Sequence, residues 1–264
     1  MLQISAKRIQ GAPGADQSIP PALAPLIAVI GCDGSGKSTV SENVLDCVRG
    51  YGPAAAAHLG KQSGNLGRAL TQLPVIGPWI GRVIDRKVAG VRTSRTGNKA
   101  PGVLVALVVY AFTLRRLFRF RRMMTARREG LIIVADRYPQ TELPGAYDGP
   151  SLSVGTAGNP IVRWLARREE AAYESMTRTR PDLVLRLNVD LDTACARKPD
   201  HRRELLRDKV AATPLLKFNG APIIDIDSTR PLAEVLAAAR LAVANTMAER
   251  GYALPGVKGS AFGQ

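Results

Sequence analysis

At 264 residues the chain is long enough for one α/β domain with elaborations and a substantial core. A formal charge of +15 suits an anionic partner such as a nucleotide, a nucleic acid or a membrane surface. Three cysteines, Cys32, Cys47 and Cys195, are odd in number and lack metal-ligand spacing, which argues against a secreted disulfide framework and for reduced thiols in a cytoplasm.

Residues 1–25 contain Lys7 and Arg8 but no apolar run like that of a signal peptide. Pro13, Pro20, Pro21 and Pro25 among small residues predict a disordered leader. An apolar β-branched stretch at 26–30 then enters GCDGSGKST, residues 31–39. Gly31 and Gly36 bracket four residues and are followed by Lys37 and Ser38, the G-x-x-x-x-G-K-[ST] spacing. Glycines let successive backbone N–H groups turn inward around an anion, and the helix that follows adds its positive end. In such a loop Lys37 reaches the outer phosphates of a nucleoside triphosphate and the Ser38 hydroxyl is a Mg²⁺ ligand. Val40, Val44, Leu45 and Val48 recur at helical spacing behind it.

A second strand is expected at 54–59 and a long helix at 101–128. A buried strand at 131–135 ends in Asp136-Arg137-Tyr138-Pro139. Asp136 is a candidate Mg²⁺ ligand, and Arg137 a candidate contact for a substrate phosphate. Further elements are expected as a helix at 161–179, a strand at 183–187, a helix at 191–211 broken at Pro199, a strand at 222–226 and a helix at 232–249. Strands alternating with helices predict a parallel sheet with helices on both faces and ligands beyond the strand carboxyl ends. The stretch ARKPDHRRELLRDK, 196–209, carries Arg197, Arg202 and Arg203. As a cluster it reads as a basic lid that neutralises a moving phosphoryl group; for any single arginine a solvated helix face is the competing reading.

Residues 100–130 combine 15 uncharged, mostly apolar residues with seven arginines between Arg115 and Arg128. The run is shorter than the roughly 20 residues a spanning helix needs. The preferred expectation is a core helix buried through Leu104, Leu107, Val108, Ala111, Leu114, Leu117 and Phe118, its far end a solvated basic face. Peripheral contact of 100–128 with an anionic membrane is the alternative.

Four segments resemble the thymidylate kinase-like branch of P-loop nucleotide kinases: GCDGSGKST, the DRY at 136–138, PDLVLRLNVD at 181–190 with 194–197, and IIDIDSTRPLAEV ending at Val235. The resemblance implies an α/β fold, the P-loop NTPase three-layer sandwich, with a five-stranded parallel sheet and helices on both faces. It implies a kinase domain at 26–250 with a lid at 196–213, followed by a tail at 251–264. About a hundred residues separate the loop from Asp136, longer than the family's usual spacing, so 68–128 is expected to hold a helical insertion. It also implies ATP and Mg²⁺ as cofactors and phosphoryl transfer to a nucleoside monophosphate, by default dTMP. Gly31, Asp33, Gly34, Ser35, Gly36, Lys37, Ser38 and Thr39 then hold phosphate and metal, and Asp136 and Arg137 lie on the metal and acceptor side. Arg197, Arg202 and Arg203 belong to the lid, and the Ser228-Thr229 turn lies near adenine. The family's acidic-Arg-Pro-Gly-Gly motif is replaced here by HLGKQSGNLGR, 58–68, with Lys61 and Arg68 as candidate substitutes.

A kinase of the same branch with a sugar or lipid-linked acceptor is one competing reading, and a regulatory P-loop NTPase another. The guanine-reading Asn-Lys-x-Asp has only Asn98-Lys99-Ala100-Pro101 to match it, and Arg137 stands where an ATPase motor would carry a second acid. A phosphorylated small-molecule acceptor is the expected partner, with no nucleic acid; the sequence leaves the oligomeric state open, a homodimer being one alternative.

Overall fold

Every residue of the first strand, β1 (Leu26–Gly31), is buried, because both faces of the sheet it centres are covered. The structure is a computed structural model that describes residues 23–60, 102–144, 147–152 and 159–253. Most of the leader, the end of the tail, Lys61, Arg68 and the first part of the insertion lie outside the described residues.

The sheet has five parallel strands in the order β2-β3-β1-β4-β5, with β2 at Ala54–His58, β3 at Ile132–Asp136, β4 at Leu183–Asn188 and β5 at Ile223–Asp227. The alternation of β1 assigns its residues to two cores. Ile27 and Val29 face Val40, Val44 and Val48 of α1 (Lys37–Arg49) and Val235, Ala239 and Val243 of α6 (Leu232–Glu249). Leu26, Ala28 and Ile30 face Phe120, Met123 and Met124 of α2 (Val103–Arg128) and Tyr173 and Met176 of α3 (Pro160–Thr177). Each fully buried Val, Leu or Met in these layers contributes about 1.5–3 kcal/mol. The fold is therefore a P-loop NTPase-type α/β sandwich, as expected.

Helix ends follow local chemistry. Pro160 opens α3, and the Asn159 side chain accepts from Ile161 N at 2.8 Å. The predicted helix at 191–211 is divided by Pro199 into α4 (Leu191–Arg197) and α5 (Arg203–Ala212). Asp190 caps α4 through Thr193 N and Oγ1, both at 2.7 Å.

The rotation of α2 departs from expectation. Its buried side is Ala106, Val109, Thr113, Arg116, Phe120, Met123, Met124 and Arg127. Leu104, Leu107, Ala111, Leu114 and Phe118, expected in the core, are exposed, and Val108 and Leu117 are half-buried. Two arginines expected on a solvated face are inside. The Arg127 guanidinium pairs with Asp182 at 2.7 Å and donates to Ala24 O at 2.5 Å; Arg116 is 1% exposed. Both sides of this helix are apolar, so periodicity gives no direction, and charged partners elsewhere in the chain decide it.

Candidate active site

The loop between β1 and α1 shows why glycine stands where it does. Gly36 has φ 81°, with open space in front of it, so a left-handed residue without a Cβ turns the chain into α1. At Gly31 a Cβ would lie 2.8 Å from Leu187 O, inside contact distance, so β1 and β4 pack this closely only around glycine. No side chain caps α1, and its first turn has no acid. Its leading N–H groups are thus left for an anion. Lys37 folds back over the loop and donates to Cys32 O at 2.5 Å. Burial lowers its pKa to about 8, with Asp33 opposing and Arg137 adding to the shift. Lys37 is half-buried in the loop. Ser38 and Thr39 are exposed at the start of α1, Ser35 is buried, and Arg197 donates to Gly34 O at 3.3 Å.

Across the sheet, the end of β3 presents Asp136 and Arg137. His58 Nδ1, from the end of β2, sits 2.6 and 2.7 Å from the two Asp136 oxygens. Arg137 has φ 53°, a strained conformation for a side chain with a Cβ. Arg116 holds it there, donating through Nη2 to Arg137 O at 2.7 Å. The same guanidinium donates to Asp148 O at 2.8 Å and Tyr173 OH at 2.9 Å, and pairs with Asp148 Oδ1 at 2.8 Å. One buried arginine therefore joins the strand end, the loop at 147–148 and α3.

Between these parts opens a cavity lined by Asp33, Lys37, Arg137, Tyr138, Tyr147, Asp148, Lys209 and Phe218, among others. Asp33 is the hub of its charge. Lys209 Nζ pairs with its carboxylate, Arg137 lies 3.7 Å away and His201 4.0 Å. Burial pushes the Asp33 pKa up, but the Lys209 bond and the nearby cations outweigh it and hold the carboxyl below its usual value. Tyr147 hydrogen-bonds Thr213 Oγ1, and Tyr138 donates to Thr179 O at 2.8 Å. The Gln140 amide lies within the lining but is engaged by Leu143 through both its ends.

Among the residues expected to carry chemistry, the loop, Arg137 and Asp33 come together at one cavity. Arg203 pairs with Asp192 at 2.7 Å and Arg202 is exposed at the start of α5; neither lines that cavity. Ser228 and Thr229 stand at the end of β5, with Ser228 N donating to Asn188 O at 2.7 Å and Thr229 held by the Asp227 carboxylate. Sequence reasoning did not single out Arg116 as a buried clamp, Lys209 as the basic residue that enters the cavity, or Tyr147, Asp148 and Phe218 as its wall. No local signal marked Lys209, whose inward turn is set by its pairing with Asp33 from the phosphate loop.

The loop carries the Ser38 hydroxyl, and the neighbouring strand β3 ends in the Asp136 carboxylate, which is paired with His58. Among the described residues no cluster of three or more His, Cys, Asp or Glu forms a metal cage. That set fits Mg²⁺, which takes one or two protein groups and fills its octahedron with water and phosphate oxygens.

No family model matches the chain. Two curated relatives from Escherichia coli strain K12 do. One, described as the uncharacterized ATP-binding protein YghS, is 41% identical over 219 residues, covering 83% of this chain and 92% of the relative. The other, described as the uncharacterized ATP-binding protein YghR, is 38% identical over 219 residues, covering 83% and 86%.

Proposed function

We propose that this chain, which belongs to the family of P-loop nucleotide-binding proteins that includes YghS and YghR, is an ATP-dependent phosphotransferase of thymidylate kinase-like type. The acceptor is a nucleoside monophosphate, with thymidylate the default. The observation that carries this reading is the cavity beside the phosphate loop, where Lys37, Arg137 and Lys209 converge next to the aromatic groups of Tyr138, Tyr147 and Phe218. Cations beside aromatic walls, continuous with the loop, suit a phosphorylated acceptor carrying a planar base next to the donor phosphates.

The loop amides and Lys37 bind the triphosphate of ATP, and Arg137 binds the phosphate of the acceptor. An acceptor oxygen forms a bond to the γ-phosphorus as the bond to the β,γ-bridging oxygen breaks, leaving ADP. A phosphate monoester has lost most of its second proton at neutral pH, its second pKa being about 6, so no general base is required. Ser38 and Asp136 would hold Mg²⁺, which supplies positive charge against the outer phosphates of ATP. Lys209, on the lid at 196–213, stands over the same cavity and balances the charge of the phosphoryl group in transit. Arg116 keeps Arg137 aimed, and closure of the lid over the cavity would exclude water.

A lipid-linked phosphate as acceptor is the second reading, favoured by the exposed apolar line on α2. A panel of nucleoside monophosphates, sugar phosphates and prenyl phosphates, each with ATP and Mg²⁺, tests the proposal through ADP release. One acceptor should raise release well above the acceptor-free rate; equal release throughout would leave a P-loop ATPase.

A further inference from the structure

The turn of α2 away from its expected orientation leaves an apolar line on the outside of the molecule. Leu104, Leu107, Ala111, Leu114 and Phe118 follow one another at alternating steps of three and four, and four of them are exposed by 47%, 45%, 45% and 61% for the leucines and Phe118 in order. The same side continues with Arg121, Arg122, Thr125 and Arg128, all exposed. α3 extends the face sideways. Its Trp164 is 53% exposed, meets Tyr110 of α2 at 6.4 Å between ring centroids, and carries the Arg168 guanidinium 5.2 Å above its ring. Arg122 stands in the same relation to Phe118, at 6.0 Å.

Apolar side chains in a row, with arginines next to them and an amphipathic Trp at the margin, match a bilayer interface rather than water. The helix has no Asp or Glu between Val103 and Arg128, so a second copy of α2 brings no counter-charge to Arg121, Arg122 and Arg128. Anionic headgroups do. Among the described residues no helix is long and apolar enough to cross a membrane, which leaves contact from one side. We propose that this face of α2, with the start of α3, docks on an anionic lipid surface. Leu104 to Phe118 enter the boundary between headgroups and acyl chains, and Arg121, Arg122, Arg128 and Arg168 lie at the level of the lipid phosphates. The inference stands apart from the phosphotransferase reading, since it uses none of the cavity residues.

The test is co-sedimentation of the full chain with vesicles of phosphatidylcholine, with and without phosphatidylglycerol, at low salt. The wild type should sediment with the mixed vesicles and little with phosphatidylcholine alone. The pair Arg121→Gln and Arg122→Gln should weaken partitioning about thirtyfold, from roughly a fivefold loss per arginine. The triple variant Leu107→Gln, Leu114→Gln and Phe118→Gln should abolish it, and both variants should keep the wild-type thermal transition. Wild-type protein that stays in the supernatant, or binds both vesicle types equally, would overturn the proposal. So would a wild-type dimer by light scattering that the triple variant makes monomeric without any vesicle binding, which would make the face a seam between two copies.

Discussion

Arg116 Nη2 donates to the carbonyl of Arg137 at 2.7 Å, and Arg137 is left-handed at φ 53°. A buried guanidinium on α2 thus fixes the backbone of the residue that faces the cavity. The strain at Arg137 is offset by a charge-assisted bond, and Asp148 and Tyr173 satisfy other donors of the same group.

Removing that clamp should act on the fold and on the site together. Arg116→Met leaves Asp148 without its counter-ion, a loss of about 3 kcal/mol in denaturant unfolding. Arg116→Lys keeps a charge but cannot reach Arg137, Asp148 and Tyr173 at once. It should fold, with the acceptor KM raised at least tenfold and ATP affinity within about twofold. Equal loss of both affinities would make Arg116 a purely structural residue.

Lys209 should matter more than its basic neighbours. Its ammonium lies on Asp33 in the cavity, whereas Arg203 is paired outward with Asp192. Lys209→Met should lower kcat about a hundredfold, the scale of one lost transition-state contact, with little change in ATP binding. Arg203→Gln should cost much less. Steady-state kinetics of the two variants side by side decide it; a larger loss for Arg203→Gln would return the role to the arginine predicted from sequence.

The pH dependence of nucleotide binding follows from Lys37. Burial lowers its pKa to about 8 in the free protein, and bound phosphate, being negative, raises it again. Binding therefore takes up a proton above that pH. ATP affinity should fall by up to tenfold per pH unit as pH rises above about 8, and Lys37→Met should flatten the profile there. For folding the sign is opposite: the unfolded chain keeps the proton up to the ordinary value of 10.5, so this group's contribution to stability rises with pH between the two. Fluorescent-nucleotide titrations across this range check the first claim, and a wild-type affinity independent of pH would refute it.

Strand and helix positions were legible because their signals are local. Continuous apolar runs at β1 and β3, the glycines of the loop, Pro160 and Pro199 each act within a few residues. The predicted element bounds accordingly lie within a few residues of those observed. The rotation of α2 was not legible, because it is set by Asp148, Tyr173 and Asp182, which lie 32, 57 and 55 residues from the arginines they bind. The cavity wall was unreadable for a related reason. Tyr147 and Phe218 come from separate loops and meet only when the sheet has formed, and both have positive φ without being glycine. Among the basic residues of 196–213, composition could not say which turns inward, since that depends on where α5 settles against Asp33.

The most direct measurement follows the γ-phosphoryl group itself. ATP labelled at that group, with Mg²⁺ and thymidylate or the acceptor the panel identifies, should pass its label to the acceptor phosphate. The rate should fall by about 10²–10³ in Lys37→Ala, the scale expected for a lost electrostatic contact at the transferred group. Label appearing only as inorganic phosphate, at the same rate with every acceptor and with none, would contradict the account.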